Sequence, residues 1–340
     1  MKLVKNNIQS SVNAETRLID PFGREMNYLR LAVTNRCNLR CLYCMPAEGI
    51  PLLSRDSILQ FEEMERLIQI LISQGVNKLR ITGGEPFVRK GLLDFLKSVN
   101  KFDELNSINI TTNAVFIGDI ISDLEQLKIG SLNISLDSLR KDKFFKITRR
   151  DEFEIVIENI DKVLKSTIPV KLNMVVLAGI NDDEILSFTR LAKDNLVEVR
   201  FIEQMPFSGG PDSESIISAN QIIDILQRQY PLLYEQSLPN STARTFHIPG
   251  YKGTLGIIAG YSRTFCSSCT RLRITPEGML KTCLYDRGAV NLKEMLRSGS
   301  SDMEIKEAII MAVQNRARDG FESQERYTRN SNLSMAQIGG

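Results

Sequence analysis

From residue 28 onward, short runs with an apolar residue at every second position alternate with longer runs whose apolar positions recur every three or four residues. The first pattern predicts strands over 28–34, 78–82, 107–112, 131–135, 170–176 and 197–203. The second predicts helices over 57–74, 92–99, 119–127, 153–164 and 183–192. Strands separated by helices of this length require right-handed crossovers and a parallel sheet. Six such units predict an α/β fold, an incomplete (βα)6 barrel, with a doubly wound open sheet as the alternative.

Residues two apart in a strand share a face, so each strand divides into two combs. One comb is apolar: Leu29, Leu31 and Val33, then Leu79 and Ile81, Ile108 and Ile110, Leu132 and Ile134, Leu172 and Met174, and Val197, Val199 and Phe201. The other is polar: Tyr28, Arg30 and Thr34, then Lys78, Arg80 and Thr82, Ser107, Asn109 and Thr111, Asn133 and Ser135, Lys171 and Asn173, and Glu198 and Arg200. The apolar combs suit the side covered by helices, which leaves the polar combs pointing into the barrel. Arg30, Lys78, Arg80, Lys171 and Arg200 against few carboxylates do not make a dry core, because buried unpaired cations cost too much. The pattern implies a cavity that receives a polar, anionic ligand.

After residue 206 the alternation stops. A Gly/Pro/Ser linker at 207–214 precedes a predicted helix at 217–228, a loop at 230–245, an extended segment at 254–260, helices at 291–296 and 305–316, and an irregular polar stretch at 317–338. The chain thus divides into a polar, mobile arm (1–24), the partial barrel (25–206) and a C-terminal region (207–340) that closes the barrel. With 340 residues, 42% hydrophobic content and a net charge of +2, it can bury a large core and has no global attraction to nucleic acid or a membrane surface. It has no run of about 18 apolar residues and its polar start lacks a secretory h-region. A reducing cytoplasm is expected.

All six cysteines fall in two groups, Cys37-x3-Cys41-x2-Cys44 and Cys266-x2-Cys269-x13-Cys283. Three thiolates can hold three irons of a cubic cluster and leave the fourth open to a ligand. A structural zinc site needs four protein ligands; His247, the only histidine, is the one candidate to complete the second group. Tyr43 lies between two thiols of the first group. Gly83-Gly84-Glu85-Pro86 follows the second strand, at the ligand-binding end of such barrels, where glycines let the backbone approach a ligand. If the segment after Cys269 is extended, Arg271 and Arg273 share one side, suited to phosphate.

Cys37-x3-Cys41-x2-Cys44 with the later Gly-Gly-Glu-Pro resembles the radical S-adenosylmethionine superfamily. The segment from Phe265 to Arg273, Lys281-Thr282-Cys283 and the final Gly339-Gly340 closely resemble the GTP 3′,8-cyclase family of molybdenum-cofactor biosynthesis, over a match from about Asp20 to Gly340. The resemblance implies two [4Fe-4S] clusters and S-adenosylmethionine as cofactors. It implies that a 5′-deoxyadenosyl radical abstracts H3′ of GTP and that C3′ then attacks C8. Carried over by position, Tyr43, Gly84, Ser135 and Met205 contact S-adenosylmethionine. Arg30, Lys78, Arg80, Thr111, Lys171, Arg200, Arg271 and Arg273 hold GTP. Arg271, Arg273, Gly339 and Gly340 carry catalytic function, and the second cluster binds the guanine base. Implied partners are an electron donor, a downstream cyclic pyranopterin monophosphate synthase and a second copy of the chain. A radical peptide- or protein-modifying enzyme with an auxiliary cluster, and a zinc-binding structural or nucleic-acid module, are the alternatives.

Overall fold

Alternating apolar residues make the predicted strands, and their burial holds them together. Leu29, Leu31, Leu79, Ile81, Ile110, Leu132, Ile134, Leu172, Met174, Val199 and Phe201 are all completely buried in the computed structural model. It describes residues 17–205, 207, 216–236, 241–327 and 334–338. The strands are β1 (Tyr28–Ala32), β2 (Lys78–Thr82), β3 (Ser107–Thr112), β4 (Ile129–Ser135), β5 (Val170–Val176) and β6 (Val197–Glu203). Each buried aliphatic side chain contributes roughly 1.5–3 kcal/mol by leaving water. Facing them are the apolar stripes of helices such as Phe61–Ile72 and Phe153–Leu164. The first of these is capped by Gln60, whose backbone N–H donates to the Glu63 carboxylate at 2.7 Å.

The C-terminal region adds β7 (Tyr234–Gln236), β8 (Arg244–His247), β9 (Thr254–Ile258), β10 (Arg271–Ile274), β11 (Met279–Lys281) and β12 (Val290–Asn291). The order is β12-β11-β10-β1-β2-β3-β4-β5-β6-β9-β8-β7, and the run from β10 to β9 is parallel throughout. The sheet is therefore an incomplete barrel, as predicted, but wider: β9 extends it beside β6 and β10 beside β1. Neither addition was legible as part of the sheet, because pairing partners more than 50 residues apart leave no local pattern.

Three other expectations are corrected. Residues 17–24, assigned to a mobile arm, are built into the fold: Leu18, Asp20 and Arg24 are buried, and Asp20 and Arg24 form an ion pair of 2.6 Å. The stretch expected to be irregular carries the helices Gly320–Tyr327 and Met335–Ile338, and β7 and the start of β8 occupy the expected loop at 230–245. A helix absent from the prediction, Lys141–Thr148, buries only Phe144, Ile147 and Thr148, too sparse a pattern to read alone. The linker at 207–214 falls almost wholly outside the described residues.

Candidate active site

β1 delivers the chain into the first cysteine loop, and β2 stitches that loop in place. Gly84 N–H donates to the Thr34 carbonyl and Glu85 N–H to the Arg36 carbonyl, both at 2.8 Å. The glycines serve this contact. A Cβ at Gly83 would lie 2.5 Å from the Thr34 oxygen and one at Gly84 would lie 2.3 Å from the Arg36 oxygen, so close approach to the loop itself demands glycine here. The helix Lys141–Thr148 props the other side, accepting from Arg40 N–H and Leu42 N–H at 2.9 Å through the carbonyls of Thr148 and Ile147. Two buried carboxylates complete the frame. Glu85 accepts from Thr112 Oγ1 and Asn113 N–H, while Asp137 accepts from Tyr43 OH at 2.8 Å and Val175 N–H at 2.9 Å. Ser334 Oγ donates to the Cys44 carbonyl at 2.6 Å, so the segment just before Gly339 and Gly340 reaches this loop; the two glycines lie outside the described residues.

Burial raises the Glu85 carboxyl to about 7 and Asp137 to about 6, although their donors pull the other way. The folded protein then keeps a proton on Asp137 at a pH where the unfolded chain has released it. Stability from that group is lost as pH rises through the interval from about 4 to about 6. An Asp137→Asn variant is expected to gain on the parent by something on the order of 3 kcal/mol across that interval. Urea midpoints of both proteins at several pH values check this; parallel curves would contradict it.

The second triad lies at the opposite end of the strands. Cys269 just precedes β10, which runs parallel to β1, whereas Cys37 follows the end of β1. β11 folds back antiparallel on β10, pairing Lys281 with Arg273, and so returns Cys283 toward Cys269. Asp286 holds this return, accepting from the N–H groups of Thr282 at 2.7 Å and Cys283 at 2.8 Å. The thiol environments differ. Burial pushes Cys37 up to about 11 and Cys44 to about 12, with Glu85 adding at the former and the Cys37 thiol at the latter. Burial also acts on Cys269, but Arg271 and Arg316 outweigh it and bring that thiol down to about 7.

Between the triads the polar combs align in rows across the sheet. Register places Arg271, Tyr28, Lys78 and Ser107 in one row, and Arg273, Arg30, Arg80 and Asn109 in the next. Thr111, Asn133, Lys171 and Glu198 form a third. β10 is thus the extended segment on which Arg271 and Arg273 share a side. Five residues of β1 separate the ends, on the order of 16 Å at the strand rise. Arg80 donates to Tyr28 OH and, at 3.2 Å, to Thr111 Oγ1. The Nε of Arg30 is buried with no hydrogen-bond partner among the described residues.

One expectation needs refining. Lys171 and Arg200 are matched by Glu198, which accepts from Lys171 Nζ at 2.8 Å and from Arg200 Nε at 2.7 Å. Arg30, Arg80 and Arg271 have no carboxylate partner among the described residues. Lys78 is exposed at the start of its strand. Burial drives Arg30 well below its ordinary pKa, helped by Arg273 and Arg80. Burial alone would raise the Tyr28 phenol, yet Arg80, Arg30 and Arg271 hold it below its usual value. A strongly positive field fills this part of the lumen, as an anion site requires.

Ser135 ends β4 two residues before Asp137, and Met205 packs at Gly260, where a Cβ would meet its Cγ at 3.1 Å. His247, the sequence's candidate fourth zinc ligand, instead pairs through Nε2 with Gln236 at 2.6 Å on the β7–β8 hairpin. Among the described residues no three His, Cys, Asp or Glu side chains converge on a point where one metal ion would sit. A cubic cluster differs, since each thiolate binds its own iron and the sulfurs stand further apart. All six cysteines are partly accessible, so the donor set suits such clusters. Asp137, the pairing role of Glu198 and Arg316 are what sequence reasoning missed. Asp137 could have been found, because it continues the Asn133 and Ser135 comb past the strand.

Residues 31–192 match the Radical SAM superfamily and residues 197–321 match Molybdenum Cofactor Synthesis C. The chain is 43% identical over 338 residues to Molybdenum cofactor biosynthesis protein 1 of Dictyostelium discoideum, covering 98% of this chain and 54% of that protein. It is 39% identical to GTP 3′,8-cyclase of Moorella thermoacetica, covering 94% of this chain and 99% of that protein. The chain spans about half the length of the first curated relatives it matches. Among solved structures it resembles Streptococcus suis SuiB, with a TM-score of 0.58 at 13% identity over 86% of this chain and 67% of that one; this likeness concerns the fold alone. No helix among the described residues is long and apolar enough to cross a membrane.

Proposed function

The chain belongs to the GTP 3′,8-cyclase family within the radical SAM superfamily, and from that premise we propose that it converts GTP to (8S)-3′,8-cyclo-7,8-dihydroguanosine 5′-triphosphate early in molybdenum-cofactor biosynthesis. Membership implies a [4Fe-4S] cluster and S-adenosylmethionine. In our reading Cys37, Cys41 and Cys44 would hold that cluster, and Cys266, Cys269 and Cys283 would hold a second one that would bind the guanine base. When bound, the first cluster and S-adenosylmethionine would supply the radical chemistry for removing H3′ and joining C3′ to C8, with one electron and one proton needed to complete the product.

The chain's own residues position and neutralise. Arg30, Arg80, Arg271 and Arg273 face the triphosphate, with Thr111, Lys78, Lys171 and Arg200 around them. Glu198 holds Lys171 and Arg200 in place by charge-assisted hydrogen bonds. Tyr43, fixed by Asp137, lies with Ser135, Met205 and the Gly84 backbone on the side of S-adenosylmethionine. Gly339 and Gly340 belong to the same reading, and the Ser334–Cys44 contact supports it. The product would pass to a cyclic pyranopterin monophosphate synthase, an external donor would supply the electron, and the family resemblance extends to a cytoplasmic homodimer.

The observation that carries the proposal is a group of arginines on two adjacent rows, without a carboxylate partner among the described residues at Arg30, Arg80 or Arg271, set between two cysteine triads at opposite strand ends. Anaerobic reconstitution followed by iron, sulfide and product analysis tests it. About eight irons per chain, with GTP-dependent formation of 5′-deoxyadenosine and the cyclised nucleotide, are expected. Zinc with little iron, or no turnover of GTP by the reconstituted protein, would overturn it.

A further inference from the structure

Beneath the second triad lies a buried charge cluster assembled from both ends of the described chain. Asp20 accepts from Arg24 Nε at 2.6 Å and from the Arg24 N–H at 2.9 Å. Arg24 spends its remaining donors on main-chain carbonyls, those of Cys266 at 2.8 Å, Arg318 at 2.6 Å and Ala317 at 2.9 Å. Arg316 stands on the other side of the same carboxylate, its Nε 3.9 Å from Asp20 Oδ2. Its Nη2 is 3.2 Å from the sulfur of Cys269. Asp20, Arg24 and Arg316 are each less than a tenth exposed.

One carboxylate between two guanidinium groups leaves one positive charge unmatched. Arg24 is consumed by three carbonyls, so Arg316 is the member that presents its surplus to the triad. Burying such a cation needs an anion; Arg316 Nη1 touches the neutral Met26 sulfur, and of the groups that can carry negative charge Cys269, at 3.2 Å, stands closer to it than Asp20. The first triad is set differently: Asn113 Nδ2 lies 3.9 Å from the Cys37 sulfur, half-buried Arg40 acts on that thiol, and burial and then the buried carboxyls of Glu85 and Asp137 raise the Cys37 and Cys41 thiols. Hydrogen bonds to cluster sulfurs and local charge are what the protein uses to set a cluster's potential, and partners outside the ligand shell also hold the ligands in place.

We propose that Arg316, held by Asp20, is a positioning residue for the second cluster, donating a hydrogen bond to Cys269 that steadies this ligand and raises the reduction potential of the cluster. This rests on the two-cluster reading above. The N-terminal segment at 17–26 is then part of the second site, although it lies far from it in sequence.

The test uses the full chain, reconstituted anaerobically, with Cys37, Cys41 and Cys44 replaced by alanine so that only the second cluster remains. Its potential is followed by EPR-monitored titration and its loss of iron to a chelator by absorbance, in Arg316→Gln, Arg316→Lys and Asp20→Asn. Arg316→Gln is expected to move the potential to a more negative value and to speed iron loss about ten- to a hundredfold. Arg316→Lys keeps the charge but cannot reach Cys269 and Asp20 together, and should fall between. Potential and iron loss equal to the parent in a cluster-bearing Arg316→Gln protein would overturn the proposal. If that variant does not fold, Arg316→Lys decides by the same two readouts. A parent that binds no iron at Cys266, Cys269 and Cys283 would instead sink the two-cluster reading, and the role of Arg316 with it.

Discussion

In a Gly84→Ala variant the first cysteine triad is expected to lose its iron, and cleavage of S-adenosylmethionine to fall to background. A methyl group at Gly84 would lie 2.3 Å from the Arg36 carbonyl oxygen, 2.6 Å from its carbon and 3.0 Å from the Asn35 oxygen. These are main-chain atoms, which cannot swing aside as a side-chain tip can. The loop carrying Cys37 must move, and the paired hydrogen bonds from Gly84 to Thr34 and from Glu85 to Arg36 go with it. Overpacking of about 1–3 kcal/mol adds to roughly 1 kcal/mol for each lost bond. Because the second triad sits at the other end of the strands, its iron should remain, so the total falls from about eight per chain to about four. Iron analysis with an assay for 5′-deoxyadenosine measures both effects. A full complement of iron with parental cleavage would show that the β2 turn does not hold the cysteine loop.

Arg271→Ala and Arg273→Ala are each expected to weaken GTP binding by about ten- to a hundredfold, the range of one lost charge-assisted contact. Both lie on β10 in the rows that run on to Tyr28 and Arg30 of β1. Neither touches the first cysteine loop in any contact described above, so some cleavage of S-adenosylmethionine should persist. Anaerobic equilibrium dialysis with GTP, alongside the 5′-deoxyadenosine assay, separates the two effects. Unchanged GTP affinity in both variants would remove them from the phosphate site. Weaker binding at higher salt is expected for the parent, since the attraction is ionic.

The strands were legible because their signal is local. An apolar residue at every second position in Leu29-x-Leu31 or Leu79-x-Ile81 is enough to name both the element and its buried face. The same alternation exposed the cationic combs, so Arg30, Arg80 and Lys171 could be assigned to one interior before any fold was known. Glu198 was visible on its comb, but its grip on both Lys171 and Arg200 depends on neighbouring strands and rotamers. Gly83-Gly84 stood out as a motif, whereas its packing against Thr34 and Arg36 joins two segments about 50 residues apart. His247 looked available for metal until the β7–β8 pairing set it beside Gln236.

By itself, then, the sequence determined the repeated βα unit, the face of each strand that is buried, the cysteine spacings and the positive charge of the lumen. All of these follow from periodicity and side-chain chemistry within a few residues. Only the tertiary structure decided that β9 and β10 widen the sheet, that the two triads stand at opposite strand ends, and that Asp20, Arg24 and Arg316 meet beneath the second. Those arrangements come from pairings between distant segments, chosen by the burial and hydrogen bonding of the whole chain, and no local pattern encodes them.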